Sequence, residues 1–311
     1  MISIIIPFCD KDCHYMTNML KYLTNISFNK EVIFVDDRND KTEDVRKKYN
    51  IPNEYKIIPS FPTGENVGTF EARRSGAMIA SGEYIWFVDI DDEPLNFDAS
   101  IISSKKDIYY FNNLIYYVET NETYKYLNRP DVFPEAVKKY YDLIKLDGNV
   151  INLNISNFSN QMLLGYIIRH ICLPISFNIW DKLLKTSILQ KTLNGIESIK
   201  NFKYGEDSFL SRMYLKYLID NMKCINIQFI SSPNYKYYEY ITDKYKYSKR
   251  HENFSSDILD FTLSINRKYF KGTWFEVFTF LEDEPSLDEL KTKTNEATNN
   301  LRLDWVYSIV E

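Results

Sequence analysis

The sequence predicts an α/β fold whose mostly parallel sheet is flanked by helices. In the first hundred residues, short segments rich in β-branched and aromatic residues alternate with segments whose apolar residues recur at helical spacing. This alternation is typical of parallel sheets with right-handed crossovers. The most apolar segment, Tyr84–Val88, suits a strand buried on both faces. Ser81-Gly82 before it and Pro94 after it favour a strand over a buried helix.

Strands and helices are predicted in alternation before residue 100. The strands are Ser3–Pro7, Glu31–Val35, Tyr55–Ile58 and Tyr84–Val88, and the helices are His14–Leu23, Glu43–Tyr49 and Thr69–Ala80. Thr42 and Thr69 are predicted to cap the second and third helices at their N-termini, and Gly82 to cap the third at its C-terminus.

Beyond residue 100 the regular alternation is lost and tyrosine becomes frequent. The elements predicted there are one or two strands of a separate layer at Ile108–Val118, a strand at Cys224–Ile230, helices at Pro134–Ile144 and Asn160–Ile171, a short element beginning at Trp180–Leu184, a helix opened by Gly205-Glu206-Asp207, and amphipathic stretches around Ile258–Tyr269 and Trp274–Leu281. The aromatic tail is expected either to cover the protein's own core or to dock on a membrane or another subunit.

The composition narrows the class of protein. A net charge of −5 over 311 residues argues against nucleic acid as a partner. The longest apolar stretch, Met162–Ser176, is interrupted by charged residues and a proline and is too short for a transmembrane helix, so we expect a soluble or peripheral protein. The cysteines show no CxxC or zinc spacing and are expected to be free thiols of a reducing compartment: Cys9, Cys13, Cys172 and Cys224.

Carboxylates follow the Tyr84–Val88 strand directly, at Asp89, Asp91 and Asp92. Ligands of open α/β sheets bind at the carboxyl ends of the strands, and clustered carboxylates there repel each other unless a cation is bound. In an extended chain, Asp89 and Asp91 would point the same way and could share one Mg²⁺ or Mn²⁺ ion. A divalent ion that holds a diphosphate fits this pattern better than a solvated acidic loop.

Other polar segments also follow predicted strands or open helices. Asp36-Asp37 could accept hydrogen bonds from a nucleobase or ribose, or form an ordinary Asx-turn. The glycine-containing loop at 64–69 leads into a helix with Arg73 and Arg74, which could face a diphosphate or be surface arginines. Asp207 at a helix start could act as a general base or merely complement the helix dipole.

In this order, the segments resemble family 2 inverting glycosyltransferases of the GT-A (Rossmann-like) fold. SIIIPF is similar to the family's opening strand and VIFVDDRND to its second-strand motif. ENVGTFEARRSGAMIASGEYIWFVDIDD is similar to its asparagine–glycine loop, arginine helix and DXD metal motif. Downstream, IWDKLLKTSIL and YGEDSFLSRMY resemble its tryptophan segment and base-bearing element. Arg38 and Arg74 depart from the family pattern and add positive charge near the donor.

The resemblance implies roles at the matching positions. Asp207 is expected to be the catalytic base. The residues expected to bind a nucleotide sugar are Pro7, Asp36, Asp37, Asn66, Arg73, Asp89, Ile90 and Asp91. Asp91 and Asp89 are expected to contact Mn²⁺ or Mg²⁺, and the weaker site candidates are Asp92, Glu206, Trp180 and His251.

The implied reaction is metal-dependent, inverting transfer of a sugar from a nucleotide sugar, expected to be a UDP-sugar, to a hydroxyl of a glycan or lipid-linked acceptor. Residues 1–100 are expected to form the donor half of the GT-A domain, 101–240 the acceptor half, and 241–311 a helical C-terminal extension. The resemblance suggests bacterial surface polysaccharide biosynthesis in the cytoplasm, with peripheral contact at the inner membrane.

Three other classes share parts of this pattern. One is a phosphoacceptor receiver domain, which the length of the chain and the absence of a strand-end lysine pattern disfavour. A non-catalytic nucleotide-sugar binding or scaffold protein on the same fold is the main alternative. A nucleotidyltransferase would need a glycine-rich, basic loop directly after the first strand, where this chain has Pro7-Phe8-Cys9-Asp10. The oligomeric state is left open by the sequence.

Overall fold

The computed structural model describes residues 1–37, 42–61, 67–103, 105–118, 120–126, 146–147, 150–155, 179–202, 205–239 and 256–270. Several sequence predictions lie outside these residues. They are the helices Pro134–Ile144 and Asn160–Ile171, the stretch Trp274–Leu281, the departure at Arg38, and the site candidates Asn66 and His251.

One sheet runs through the described part of the chain, and the prediction that Ile108–Val118 belongs to a separate layer is wrong, because this segment pairs within the same sheet. Its strands are β1 (Ile2–Phe8), β2 (Lys30–Asp36), β3 (Lys56–Pro59), β4 (Tyr84–Phe87), β5 (Glu93–Pro94), β6 (Ile108–Tyr117), β7 (Glu122–Tyr126), β8 (Leu146–Asp147), β9 (Val150–Asn154), β10 (Lys182–Lys185) and β11 (Cys224–Glu239). Their order is β3-β2-β1-β4-β10-β6-β11-β9-β8, with β5 paired to β11 and β7 to β6.

Six strands of the sheet, β1, β2, β3, β4, β6 and β11, run in one direction. β1 pairs in parallel with β2 and β4, β2 with β3, and β6 with β11. β10 is antiparallel to both β4 and β6, so β4 and β6 also point the same way. The predicted α/β fold with a mostly parallel sheet is confirmed, and the carboxyl ends of these strands meet at one edge.

The helices of the described residues are α1 (Met16–Thr24), α2 (Thr42–Tyr49), α3 (Thr69–Ile79), α4 (Thr186–Asn194), α5 (Glu206–Asn221) and α6 (Ser256–Phe270), with short 3-10 helices at Asp10–Tyr15 and Ala99–Ile101. No helix in these ranges combines the length and apolar character needed to cross a membrane. α6 packs on α5, where the Phe270 and Phe209 ring centroids lie 5.8 Å apart. Phe270 is fully buried in the apolar core, whereas the aromatic residues Trp274, Phe275, Phe278 and Phe280 lie outside the described residues.

Alternate residues of the central strands enter two apolar layers. In the predicted strand Tyr84–Val88, Tyr84, Trp86 and Val88 join one layer, while Ile85 and Phe87 join the other. All five side chains are buried, so the prediction of a strand covered on both faces is confirmed.

The predicted caps of α3 are wrong. Gly68, not Thr69, occupies the N-cap position, and the helix ends at Ile79 with Ala80 already extended. Gly82 instead allows the chain to approach β1. A Cβ atom at Gly82 would lie 2.6 Å from the backbone nitrogen of Ser3, and the Gly82 amide donates to the Ser3 hydroxyl at 2.8 Å.

Candidate active site

The carboxyl edge of the sheet brings together residues from distant parts of the sequence. Pro7 and Phe8 at the end of β1 pair with Val35 and Asp36 at the end of β2. Asp89 follows β4, which is the other neighbour of β1. The candidate site is therefore at the edge where open α/β sheets bind ligands.

Arg73 connects α3 with the end of β4 and the start of α5. Its side chain projects from α3 and is only 3% exposed. One terminal nitrogen donates to Asp89 Oδ1 at 2.7 Å, after β4, and the other bonds Asp207 Oδ1 at the start of α5. Glu206 Oε1 lies 3.6 Å from the same guanidinium. Three carboxylates thus share one guanidinium.

The local sequence places Asp207 at this point. α5 begins at Glu206, and Gly205 precedes it in the left-handed conformation with φ 73°. Glycine adopts this conformation without the cost that a β-carbon imposes. The first turn of α5 therefore presents both acidic side chains to Arg73, and the helix dipole favours negative charge there.

Burial and the repulsion between the carboxylates shift the pKa values of the side chains in this cluster. Burial raises the pKa of Asp207 to about 8, with Arg73 opposing the shift and Glu206 and Asp89 adding to it. Burial alone would lower the pKa of Arg73, but Asp207, Asp89 and Glu206 raise it above the ordinary arginine value. The guanidinium therefore keeps its proton, while Asp207 can exchange a proton near neutral pH.

The carboxylates after β4 lie in a turn and not in the extended chain that the sequence predicts. The Asp92 amide donates to the Asp89 carbonyl at 3.2 Å and closes the turn. Asp91 is exposed and Asp89 half-buried, whereas Asp92 is 2% and Ile90 5% exposed. A ligand contact by Ile90 is therefore expected through its backbone.

Asp92 bonds residues of β11. Its two carboxylate oxygens accept hydrogen bonds from the Tyr235 hydroxyl at 2.7 Å and from the Tyr238 amide at 3.0 Å. Burial raises the pKa of Asp92 well above the usual aspartate value, and the nearby Asp91 and Asp89 raise it further. The structure thus buries Asp92 against β11, whereas Asp91 is exposed.

Asp37 organises the backbone around the start of α3. Its carboxylate accepts from the Ser60 hydroxyl at 2.8 Å and from the backbone amides of Val67 and Gly68, both at 3.0 Å. Asp36 is fully buried at the end of β2, and its carbonyl accepts the Ser60 amide at 3.0 Å. Asp37 thus joins β2, β3 and the N-terminus of α3.

The carboxylates after β4 are the side chains of the described residues that could hold a metal ion. Asp91 and Asp89 supply carboxylate oxygens, the ligand type that Mg²⁺ and Mn²⁺ prefer. Across the described ranges, no group of three or more His, Cys, Asp or Glu side chains is arranged to hold a metal. Such ions commonly take one or two carboxylates and complete their shell with substrate phosphates and water, so the residues present fit a substrate-assisted site.

Trp180 packs beside the turn. Its ring stacks on Tyr235 at 4.7 Å and on Tyr237 at 5.8 Å between centroids, and its carbonyl accepts the Trp86 indole N–H at 2.7 Å. Trp180 is 9% exposed.

Arg74 lies outside the central cluster, 3.8 Å from Glu71.

Sequence reasoning missed Tyr235 and the Asp181–Lys182 pair. Lys182 Nζ lies 2.7 Å from Asp181 Oδ1, and both side chains are essentially fully buried. The positive charge of Lys182 also acts to lower the pKa of Asp207. The sequence does indicate this pair, because Asp181 and Lys182 lie inside an apolar segment and charged side chains are rarely fully buried unless they are paired.

The sequence profile described as Glycosyl transferase family 2 matches residues 3–159. An uncharacterized glycosyltransferase of Haemophilus influenzae is 36% identical over 93 residues, which cover 30% of this chain and 36% of the relative. The match to this curated relative thus covers little more than a third of the relative's length.

Solved structures of S. aureus TarS are also similar. TarS 1–349 has a TM-score of 0.48 at 16% identity, covering 99% of this chain and 80% of that one. TarS 1–349 in complex with UDP-GlcNAc has a TM-score of 0.47 at 19% identity, covering 76% and 58%. On the family match, which covers about half of its residues, the chain belongs to glycosyl transferase family 2.

Proposed function

We propose that this chain is a metal-dependent inverting glycosyltransferase that moves a sugar from a nucleoside diphosphate sugar to a hydroxyl of a glycan or lipid-linked acceptor. Uridine is the first nucleoside to test. The observation that carries the proposal is the meeting of Arg73, Asp89 and Asp207 at one sheet edge. A buried guanidinium with an excess of carboxylates is a poor way to stabilise a fold, and it is typical of functional sites.

Asp207 is assigned as the general base. It lies on the rigid first turn of α5, with 24% of its side chain exposed. The acceptor oxygen forms a bond to the anomeric carbon while the bond from that carbon to the diphosphate oxygen breaks. The hydroxyl proton passes to Asp207, and the electron pair of the broken bond leaves with the nucleoside diphosphate. A raised pKa suits this proton transfer, which typically contributes about 10²–10⁴-fold.

Asp91 and Asp89 are assigned to a Mn²⁺ or Mg²⁺ ion. When bound, such an ion would neutralise charge that develops on the leaving diphosphate. Arg73 supplies a second, protein-bound positive charge from beneath the site. Each of its terminal nitrogens bonds a carboxylate through one N–H, so the remaining N–H groups of the guanidinium are the ones that would donate to a phosphate oxygen.

The two halves of the proposed catalytic domain share the sheet. We assign residues 1–100 to donor binding and 101–240 to acceptor binding, and β10 from the second half lies between β4 and β6. Residues 241–311 are assigned to a helical extension that includes α6. A lipid-linked acceptor would place the reaction at the cytoplasmic face of the inner membrane.

The test is an assay of nucleotide release from a panel of UDP-, GDP-, CDP- and dTDP-sugars with Mn²⁺ and candidate glycan acceptors. The proposal predicts acceptor-dependent release for one donor, with inverted configuration at the anomeric carbon of the product. Retained configuration would refute the single-displacement role of Asp207. Binding of a donor without turnover, over a broad acceptor panel, would favour the non-catalytic binding protein.

A further inference from the structure

We propose that Tyr235 is a positioning residue of the donor site, which fixes the Asp89–Asp92 turn in the shape that metal and diphosphate binding require. This inference rests on the proposed function and adds a residue that the sequence motifs do not contain. Tyr235 lies on β11, 146 residues after Asp89.

The Tyr235 hydroxyl holds both ends of the turn. It accepts a hydrogen bond from the Asp89 amide at 3.0 Å and donates one to Asp92 Oδ2 at 2.7 Å. The turn's own hydrogen bond, from the Asp92 amide to the Asp89 carbonyl, is longer at 3.2 Å. The phenol oxygen therefore bridges the first and last residues of the turn.

Tyr235 is itself held rigidly. Its side chain is fully buried, and its ring stacks on Trp180 with an interplanar angle of 19°. β5, which follows the turn, pairs with β11 through Pro94 and Tyr235, and the Leu95 amide donates to the Asn234 carbonyl at 2.7 Å. The turn is thus attached to a strand of the acceptor half and not only to β4.

Asp91 is one of the two central residues of the turn, so the shape of the turn determines the position of its carboxylate. Without the hydroxyl, the Asp89 amide and the buried Asp92 carboxylate would each lose a partner, and the turn could adopt other shapes. Residues that orient metal ligands through hydrogen bonds commonly contribute about 10–100-fold to metal affinity.

Tyr235→Phe removes the hydroxyl and keeps the stacked ring. Tyr238→Phe is the matched control, because the Tyr238 hydroxyl bonds the Glu93 carboxylate at 2.7 Å and does not touch the turn. The experiment follows thermal unfolding of the full chain with UDP during Mn²⁺ titration, for both variants and the wild type. The unfolding temperature without ligand reports the structural effect separately.

We expect Tyr235→Phe to raise the Mn²⁺ concentration for half-maximal stabilisation about 10–100-fold, and Tyr238→Phe to leave it unchanged. In turnover assays, the KM for the donor should rise more than kcat falls. An unchanged Mn²⁺ dependence in Tyr235→Phe overturns the inference while leaving the proposed function intact. If the wild type shows no Mn²⁺-dependent stabilisation by any nucleoside diphosphate, the proposed function and this inference both fail. Should Tyr235→Phe not fold, Asp92→Ala removes the acceptor of the same hydroxyl and must weaken Mn²⁺ dependence in the same way.

Discussion

Arg73 and Asp207 are 134 residues apart in the sequence, and their side chains are directly hydrogen-bonded at the carboxyl edge of the sheet. The same guanidinium bonds Asp89, one of the two proposed metal ligands. The proposed base and the proposed donor site are therefore joined through a single side chain. A donor diphosphate that attracts Arg73 would also change the environment of Asp207.

Asp207→Asn should abolish most turnover and preserve donor binding, because the amide cannot accept the acceptor proton. We expect kcat to fall about 10²–10⁴-fold. Glu206→Gln is the matched control on the neighbouring residue, since its carboxylate lies 3.6 Å from Arg73 and has no assigned proton-transfer role. Equal losses in the two variants, or loss of donor binding in Asp207→Asn, would contradict the assignment.

The pH dependence of kcat/KM should reveal a base with a raised pKa. Burial raises the pKa of Asp207 to about 8, so activity should increase with pH up to about that value and then level off. Glu206→Gln removes a neighbouring negative charge that raises this pKa, and it should move the acidic limb to lower pH. An acidic limb near the ordinary aspartate pKa in the wild type would count against Asp207 as the base.

Stability should also depend on the Asp207 proton. Between the ordinary aspartate pKa and about 8, the folded protein holds this proton and the unfolded chain does not. The contribution of Asp207 to stability is therefore complete at low pH and is lost as the pH rises towards 8. Asp207→Asn should flatten the decline of the unfolding temperature over this range; an identical pH profile would show that Asp207 titrates normally.

Arg73→Ala should be far more destabilising than Arg74→Ala. Removing the 3% exposed guanidinium leaves the half-buried carboxylates of Asp89, Glu206 and Asp207 without their cation; losing one partner of a buried ion pair costs about 3–5 kcal/mol, so we expect about 3 kcal/mol for these partly exposed groups. Arg74 is 23% exposed and lies 3.8 Å from Glu71, so its loss should cost about 1 kcal/mol or less. Urea denaturation measures both, and similar values would show that the Arg73 cluster is not held together as described.

Gly82→Ala should destabilise the fold through a backbone clash. The added carbon would lie 2.6 Å from the Ser3 nitrogen on β1, and overpacking of this kind costs about 1–3 kcal/mol. Gly195→Ala is the control, because its added carbon would meet only the Thr192 carbonyl, at 3.4 Å, in an ordinary backbone conformation. If both variants unfold at the wild-type denaturant concentration, the close approach of residue 82 to β1 is not rigid.

The first hundred residues were predictable because local pattern and fold agree there. The apolar run Tyr84–Val88 has no polar position to break it, and both faces of β4 are indeed covered. The sequence prediction ended the last long strand at Ile230, whereas β11 continues to Glu239. Pro233 favours an end of the strand near this point, because proline cannot donate a backbone hydrogen bond. The register of the pairing with β6 shifts on either side of Pro233, and this irregularity accommodates the proline.

Sequence motifs named the candidate site residues but not the contacts between them. Motif order pointed to Arg73 and Asp207 as separate elements, and no local pattern encodes an ion pair between residues so far apart. Tyr235 was missed for a related reason. A tyrosine in a tyrosine-rich segment carries no distinguishing signal, and only the pairing of β5 with β11 brings it to the turn.

The most direct test of the central claim is thermal unfolding with UDP, GDP, CDP and dTDP, with and without Mn²⁺, for the wild type and Asp91→Asn. A ligand at about 100 times its dissociation constant stabilises the folded state by about 2.7 kcal/mol, which the unfolding temperature resolves. The account predicts that one nucleotide stabilises the wild type only with Mn²⁺, and that Asp91→Asn loses this effect. Stabilisation that is independent of Mn²⁺ and of Asp91, or none at all, would contradict it.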